Sequence, residues 1–178
     1  MNKTVVILSA LIFVFGCQPK TDQKTTTNEA STEKIDYAYL PDDHPPVYWE
    51  PGNQQNLVNA LKALKAYETG KVDEVMTYFA DSVQFTVDGF DAKIPRDTLK
   101  AGFVEAWKNA SNIKVKMSDY ESVISKDKKE EYVTLWFKEI VTDKAGKVDS
   151  LAYVDDMKFV NGKIVALDEK TRKYPANK

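Results

Sequence analysis

The segment Phe159-Val160-Asn161-Gly162-Lys163-Ile164 places an Asn-Gly pair between two runs of alternating apolar residues. Asn-Gly favours the two-residue turn that closes a β-hairpin, because both residues tolerate a positive φ. The sequence therefore predicts a hairpin whose strands run from Val148 to Val160 and from Lys163 to Lys173. A second hairpin turn is predicted just before it, at Asp143-Lys144-Ala145-Gly146.

Two more strands are predicted ahead of this hairpin. Ile113, Val115 and Met117 alternate with polar residues, which is typical of a strand with one buried face. The run from Glu131 to Val141 is nearly continuous in β-forming residues and predicts the most buried strand. Together these segments predict four successive antiparallel strands.

Three helices and one further strand are predicted before these four strands. The first helix runs from Gln54 to Gly70, with its leucines on one face. A second, short helix has apolar residues at helical spacing: Val72, Val75, Met76 and Phe79. Alternation predicts a strand from Asp81 to Asp88, and Pro95 opens a third helix. That helix carries one apolar stripe: Leu99, Phe103, Ala106 and Trp107. Helices first and a run of strands after them indicate an α+β fold.

The order of these elements, together with two short motifs, resembles a known family. The motifs are Tyr78-Phe79-Ala80-Asp81-Ser82-Val83, after the two helices, and the segment around Asn161-Gly162. Residues 54–174 resemble the nuclear-transport-factor-two-like fold, and its SnoaL-like branch in particular. The resemblance implies a cone-shaped α+β domain in which three N-terminal helices and a strongly bent antiparallel sheet enclose a pocket. In that family the pocket serves polyketide cyclases, ketosteroid isomerases and dehydratases, and also proteins with no known chemistry.

Asp88 is the first candidate for a catalytic residue. In the catalytic proteins that the chain resembles, a carboxylate near the end of the first strand abstracts a carbon-bound proton, and Asp88 is the matching position. A carboxylate does this in a dry pocket, where its pKa rises toward the working pH. Asp88-Gly89 is also ordinary turn chemistry, and the turn is the favoured interpretation.

Asp155 is the second candidate. It shares a strand face with Tyr153 and Met157, whereas Asp156 lies on the opposite face. An acid in the middle of an apolar face is unusual unless it is paired. Two interpretations stay open: a functional carboxylate in the pocket, or a buried acid that is bonded to Tyr120, Tyr153 or a lysine.

Four aromatic residues are candidate walls of the pocket and candidate ligand contacts: Trp107, Tyr120, Trp136 and Tyr153. For the two tryptophans, a place in the core is favoured over a place in the pocket wall. The domain has no histidine, so histidine–carboxylate dehydratase chemistry is not available, and no cofactor is predicted. We therefore favour a binding module for a small hydrophobic or semi-polar ligand. The alternative is an isomerase, cyclase or dehydratase that uses Asp88 or Asp155 as a general base.

The N-terminus resembles that of a bacterial lipoprotein. Lys3 precedes an apolar run from Val5 to Phe15, and Val14-Phe15-Gly16-Cys17 resembles a lipobox. The run is shorter than the roughly 20 residues that a membrane-spanning helix needs. The resemblance implies cleavage before Cys17, acyl chains such as palmitate on that cysteine, and a lipid-anchored place in the bacterial envelope, at the outer membrane, facing the periplasm or the surface. An ordinary secretory signal is the alternative.

The predicted organisation has four parts: a signal peptide at 1–16, a flexible tether at 17–34, a lead-in at 35–53 and the domain at 54–174. The tether is polar and has too few apolar residues to order itself. The lead-in is rich in proline and aromatic residues, and it either packs onto the domain, as we favour, or binds a partner. His44, the only histidine, lies there in a proline-rich segment, where a solvated loop is favoured over a metal site.

The formal net charge of −2 leaves no basic excess, which argues against a nucleic-acid partner. Cys17 is the only cysteine, so the domain has neither a disulfide nor a cysteine–metal site. No metal site is predicted elsewhere. A homodimer formed through the sheet is a further candidate assembly.

Overall fold

The computed structural model describes residues 36–173, and within them three helices accompany a seven-stranded sheet. The helices are α1 (Gln54–Glu68), α2 (Val72–Met76) and α3 (Arg96–Asn109). The strands are β1 (Trp49–Pro51), β2 (Phe79–Val87), β3 (Phe90–Pro95), β4 (Ala110–Ser125), β5 (Glu131–Asp143), β6 (Val148–Val160) and β7 (Lys163–Lys173). The predicted signal peptide at 1–16 and the tether at 17–34, with Cys17, lie outside the described residues.

The sheet has the strand order β1-β4-β5-β6-β7-β2-β3, and it curls without closing. This is the α+β, cone-shaped architecture that the sequence predicts, and the count of three helices is also confirmed. Five of the six strand pairs in the described region are antiparallel, whereas β2 runs parallel to β7. In this pair β7, the last strand within the described residues, lies beside β2 and runs in the same direction.

The local turn chemistry accounts for the two best-predicted strands. Asn161 and Gly162 have φ angles of 51° and 76°, in the left-handed region that these two residues adopt most readily. They join β6 to β7, and the bounds of both strands agree with the prediction. The turn at Asp143–Gly146 is also present, with the amide of Gly146 donating to the carbonyl oxygen of Asp143.

Two predicted elements differ from the structure. Phe79, expected at the end of the second helix, is the first residue of β2, and it is buried all the same. Helical spacing could not separate these alternatives, because a short helix and the start of a strand both bury Phe79. The segment Phe90–Pro95, expected as a loop, is β3. Asp88 and Gly89 form the turn of a β2–β3 hairpin, in which Val83 pairs with Ile94.

The core lies between α1 and the inner face of the sheet. Its most buried side chains come from α1, β2, β5 and β7: Ala60, Val83, Val133, Leu135 and Ile164. β5 was predicted to be the most buried strand, but its burial alternates, so that only one of its faces is in the core. The side chains on that inner face of the sheet therefore determine what α1 and α3 enclose.

Part of the lead-in segment packs onto the sheet. β1 pairs with β4 at the edge of the sheet, and the Trp49 and Tyr132 rings lie 5.6 Å apart. Gly52 follows directly, and a Cβ there would lie 2.7 Å from the backbone nitrogen of Val123, which only glycine avoids. The His44 ring stacks on Tyr48 at 4.6 Å. None of the helices within residues 36–173 is long and apolar enough to cross a membrane.

Candidate functional site

A cavity of about 500 Å³ lies between α1, α3 and the inner faces of the sheet. Most of its lining is apolar and includes five phenylalanines: Phe79, Phe85, Phe90, Phe103 and Phe137. Leu99, Phe103 and Ala106, three members of the stripe predicted on α3, border this cavity. Only Leu99 of the α3 residues is buried, because Phe103 and Ala106 face the open space of the cavity. The helix thus forms one wall of the pocket that the resemblance implies.

Three carboxylates enter this apolar space from three neighbouring strands. Glu139 lies on β5, Asp155 on β6 and Glu169 on β7, and all three line the cavity. Asp155 and Glu169 are directly opposite one another across the β6–β7 ladder. Inward-facing partners in such a pair have Cβ atoms about 4.5–5.5 Å apart. The charged side chains of the lining are therefore concentrated on one wall.

Asp155 is the most deeply buried of the three carboxylates. Its residue is 5% exposed, and its Oδ1 atom accepts no hydrogen bond from any described residue. Burial raises the pKa of Asp155 well above its ordinary value, and the nearby charges of Glu169 and Glu139 raise it further. Burial disfavours the charged form of a carboxyl group, so Asp155 tends to hold a proton.

Glu139 is held by tyrosine hydroxyls. The Oη of Tyr153 donates to Oε1 of Glu139 at 3.3 Å, and the Tyr153 ring stacks on Phe137 with centroids 5.1 Å apart. Burial raises the pKa of Glu139, although hydrogen bonds from Tyr153 and Tyr67 act in the opposite direction. The same burial, together with the Glu139 charge, raises the pKa of both tyrosines. Both hydroxyls therefore stay protonated and remain donors to Glu139.

Glu169 lies at a partly exposed position on the same wall. Burial, followed by the charge of Glu139, raises the pKa of Glu169 to about 7. A carboxyl group near this value exchanges its proton at neutral pH. The cavity thus combines a carboxyl that favours its protonated form with one that changes charge around neutrality.

The positions of the two candidate catalytic residues differ sharply. Asp155 lines the cavity, as one interpretation of the sequence expected, while its neighbour Asp156 bonds Thr134 and Lys170 on the opposite face. Of the hydrogen-bond partners proposed for Asp155, Tyr153 donates to Glu139 instead, and Oδ1 of Asp155 accepts from none of the described residues. Asp88 is exposed in the β2–β3 turn and does not border the cavity.

Of the four aromatic candidates, only Tyr153 lines this cavity. The indole Nε1 of Trp107 donates to the backbone oxygen of Tyr67 at 2.7 Å, so this residue secures α3 to α1. Tyr120 is 49% exposed on β4. Trp136 alternates along β5 with the inward Leu135, and it therefore lies on the outer face.

Sequence reasoning did not identify Glu139 and Glu169. Glu139 continues the inward alternation of Leu135 and Phe137, so the pattern of β5 contained the signal. Glu169 is different, because Val165 has no partner in β6 and interrupts the alternation of β7. A β-bulge of this kind moves every later side chain to the other face, and no residue type in the sequence indicates it.

A second concavity lies between α2 and α3. It is larger, at about 660 Å³, but its side chains are less suited to bind or react with a ligand. Its charged side chains pair with one another: Lys100 contacts Asp73 at 2.6 Å, and Lys71 contacts Glu74 at 3.5 Å. Nothing in its lining is both buried and without a partner. The acid-bearing cavity is therefore the candidate site.

Comparisons with known proteins establish the fold. No family model matches the sequence, and no curated protein matches it. Among solved structures, AusH from Aspergillus nidulans is 16% identical, with a TM-score of 0.57 over 72% of this chain and 90% of that one. An NTF2-like protein of unknown function from Burkholderia pseudomallei is also 16% identical, with a TM-score of 0.54 over 66% of this chain and 91% of that one.

An LEH-like epoxide hydrolase from M. tuberculosis is 12% identical, with a TM-score of 0.55 over 67% of this chain and 84% of that one. At such identities the likeness shows the fold alone. The domain therefore has the nuclear-transport-factor-two-like fold, and proteins with this fold include both enzymes and proteins of unknown function.

Proposed function

We propose that the domain binds a small, largely apolar molecule in the cavity between α1, α3 and the sheet, and that a lipid on Cys17 anchors it in the bacterial envelope. The observation that supports binding is the cavity of about 500 Å³ itself. Protein interiors are normally packed without voids of this size, whereas ligand pockets commonly measure about 300–1,000 Å³. The proposed anchor is supported by the lipobox-like Val14-Phe15-Gly16-Cys17.

The exposed part of the lining indicates where a ligand enters. Phe90 is 45% exposed, and Gly102 and Ala106 are exposed too, although all three border the cavity. These residues lie on the β2–β3 hairpin and on the facing side of α3. A ligand that enters between them meets aromatic side chains first and the carboxylates on β5, β6 and β7 beyond them.

General acid–base catalysis is a second candidate, and the raised pKa values of Asp155 and Glu169 favour it. A protonated carboxyl beside an ionised one can donate one proton and accept another in the same site. Binding without catalysis is preferred, because the hydroxyls of Tyr67 and Tyr153 are engaged with Glu139 and are not free to stabilise an oxyanion. Turnover of a bound molecule that Asp155→Asn abolished would favour catalysis.

A matched pair of tryptophan variants tests binding. Calorimetric titration of the full chain with the neutral probe 2-naphthalenemethanol should show binding, and Gly102→Trp should weaken it about tenfold or more. A Cβ on Gly102 meets no atom within 4 Å, and replacing glycine inside a helix is favourable by itself, so the variant keeps its fold. Ala101→Trp, on the same helix outside the cavity lining, is the control and should bind like the wild type. Equal affinity in all three proteins would contradict the proposal.

A further inference from the structure

We propose that the ligand of this cavity is an organic cation, an amine with an apolar body whose ammonium group lies beside Asp155 and Glu169, on the wall that also carries Glu139. This inference rests on the proposed function, because it presupposes that the cavity takes up a small molecule. It goes further by naming the charge and the chemical class of that molecule.

The first support is the unsatisfied Oδ1 atom of Asp155. Among the side-chain nitrogen and oxygen atoms of residues 36–173, it is the one that is buried without a hydrogen-bond partner. A buried acceptor without a donor is costly, because it has lost its bonds to water and gained none in exchange. A ligand N–H group that reached Oδ1 would remove this cost. The site thus lacks a donor, which the ligand can supply.

The second support is the arrangement of the three carboxylates on one wall. Asp155 and Glu169 are cross-strand partners, and Glu139 lies farther along the same wall, on β5 opposite Leu151, where Tyr153 bonds it. An ammonium group carries three N–H donors and a positive charge. It can therefore bond more than one of these acceptors, while the apolar body lies against the phenylalanines of the remaining walls, where cation–π contacts add to the attraction.

The third support is the sign of the charges around the site. The titratable groups of the lining are Tyr67 from α1, Tyr153 from β6 and the three carboxylates; β2, β3, α2 and α3 contribute none. Lys170, the nearby cation, lies on the outer face and bonds Asp156 and Asp168. An anion would be repelled from this lining. A neutral ligand would leave every carboxylate without a counter-charge.

The occupant is an organic cation rather than a metal ion. Within residues 36–173, no group of three or more His, Cys, Asp and Glu residues is arranged to hold a metal ion. Metal ligands must converge on one point at roughly 2.0–2.6 Å, whereas an ammonium group accepts oxygens spread over hydrogen-bond distances of about 2.7–2.9 Å. The volume of about 500 Å³ also exceeds what a bare ion requires.

Proton release is the expected signature of this binding. Burial raises the pKa of Glu139, Asp155 and Glu169, and the charge of Glu139 raises the pKa of Asp155 and Glu169 further, so these carboxyl groups hold protons that a cation would displace. The affinity for an amine should therefore rise between pH 6 and pH 8. The affinity for a neutral molecule of the same shape should not.

Calorimetric titration of the full chain with 1-aminoadamantane and with the isosteric alcohol 1-adamantanol tests the inference. At pH 8 the amine should bind about tenfold more tightly than the alcohol, and at pH 6 the difference should shrink. Titrations in two buffers of different ionisation enthalpy should show protons released with the amine only. Asp155→Asn should weaken amine binding about tenfold and leave the alcohol unchanged, whereas Asp156→Asn, on the outer face, should affect neither.

The outcomes separate the two proposals. If the alcohol binds as tightly as the amine at pH 8, or Asp155→Asn weakens both ligands equally, the organic-cation inference is wrong and the proposed binding function stands. If 1-aminoadamantane, 1-adamantanol and 2-naphthalenemethanol all fail to bind, both proposals fail. Should Asp155→Asn not fold, as judged by its thermal melt, Glu169→Gln at the partly exposed position provides the same comparison.

Discussion

Replacement of Glu169 by glutamine tests the acidic wall without any ligand. Burial and the charge of Glu139 raise the pKa of Glu169 from 4.5 to about 7 in the folded protein. The folded state then binds this proton more tightly than the unfolded state does. Its contribution to the free energy of unfolding is therefore largest below pH 4.5, and it declines as the pH rises toward 7.

The magnitude follows from the same two pKa values. At about 1.4 kcal/mol for each pH unit, the interval between 4.5 and about 7 corresponds to at most about 3 kcal/mol. Glu169 is partly exposed, and solvent screening reduces this to about 1–2 kcal/mol. Glutamine cannot ionise. Between pH 4.5 and pH 7.5, the free energy of unfolding of Glu169→Gln should therefore fall by about 1–2 kcal/mol less than that of the wild type.

Urea unfolding of the two proteins across this pH range measures the difference. Asp168→Asn is the matched control, because Asp168 bonds Lys170 on the outer face of the same strand. Its pH profile should keep the slope of the wild type. If the profiles of Glu169→Gln and the wild type are parallel throughout, Glu169 has an ordinary pKa and the argument for a desolvated acidic wall fails.

Two further predictions concern the neighbouring strand and the N-terminus. At pH 8, urea unfolding should show Asp155→Asn to be more stable than the wild type by about 1 kcal/mol, because burial raises the pKa of Asp155 in the folded state only, and asparagine removes the advantage that the unfolded state gains by ionising. Asp156→Asn should be less stable than the wild type by about 1 kcal/mol, because Asp156 accepts hydrogen bonds from Thr134 at 2.6 Å and from Lys170 at 2.8 Å. If Asp155→Asn were the less stable of the two variants, the assignment of these residues to opposite faces would be wrong. Cys17→Ser should move the protein out of the membrane fraction and abolish labelling by palmitate. A serine variant that stays with the membrane, beside a wild type that takes up no palmitate, would refute the lipid anchor.

The elements that sequence reasoning predicted well depend on local chemistry. The Asn161-Gly162 turn specifies its hairpin within a few residues, and the alternation around Asp155 is unbroken, so the inward position of Asp155 was predictable. Trp136 was assigned to the pocket for its size, although the alternation of β5 places it on the outer face. The cavity itself was not predictable in this way, since an apolar stripe on α3 looks the same whether it packs against side chains or covers open space.

The third carboxylate of the site was hidden for another reason. Glu169 faces the cavity because Val165 is left unpaired between Ile164 and Ala166. If Val165 paired with Lys158 instead of being left unpaired, the alternation counted from Ile164 would place Asp168 and Lys170 inward. Register is a tertiary property, decided when β6 and β2 meet β7, and a single strand does not reveal it.

The unpaired Val165 also determines how this cavity can evolve. Deleting that one codon would straighten β7 and leave Glu169 facing the cavity, because Ala166, Leu167 and Glu169 would keep their partners on β6. If Val165 stayed and entered the ladder instead, the later faces would be exchanged, and Asp168 and Lys170 would turn inward. A homologue that lacks the extra residue can therefore keep the acidic wall, and only an alignment with a gap at Val165 matches its carboxylate to Glu169.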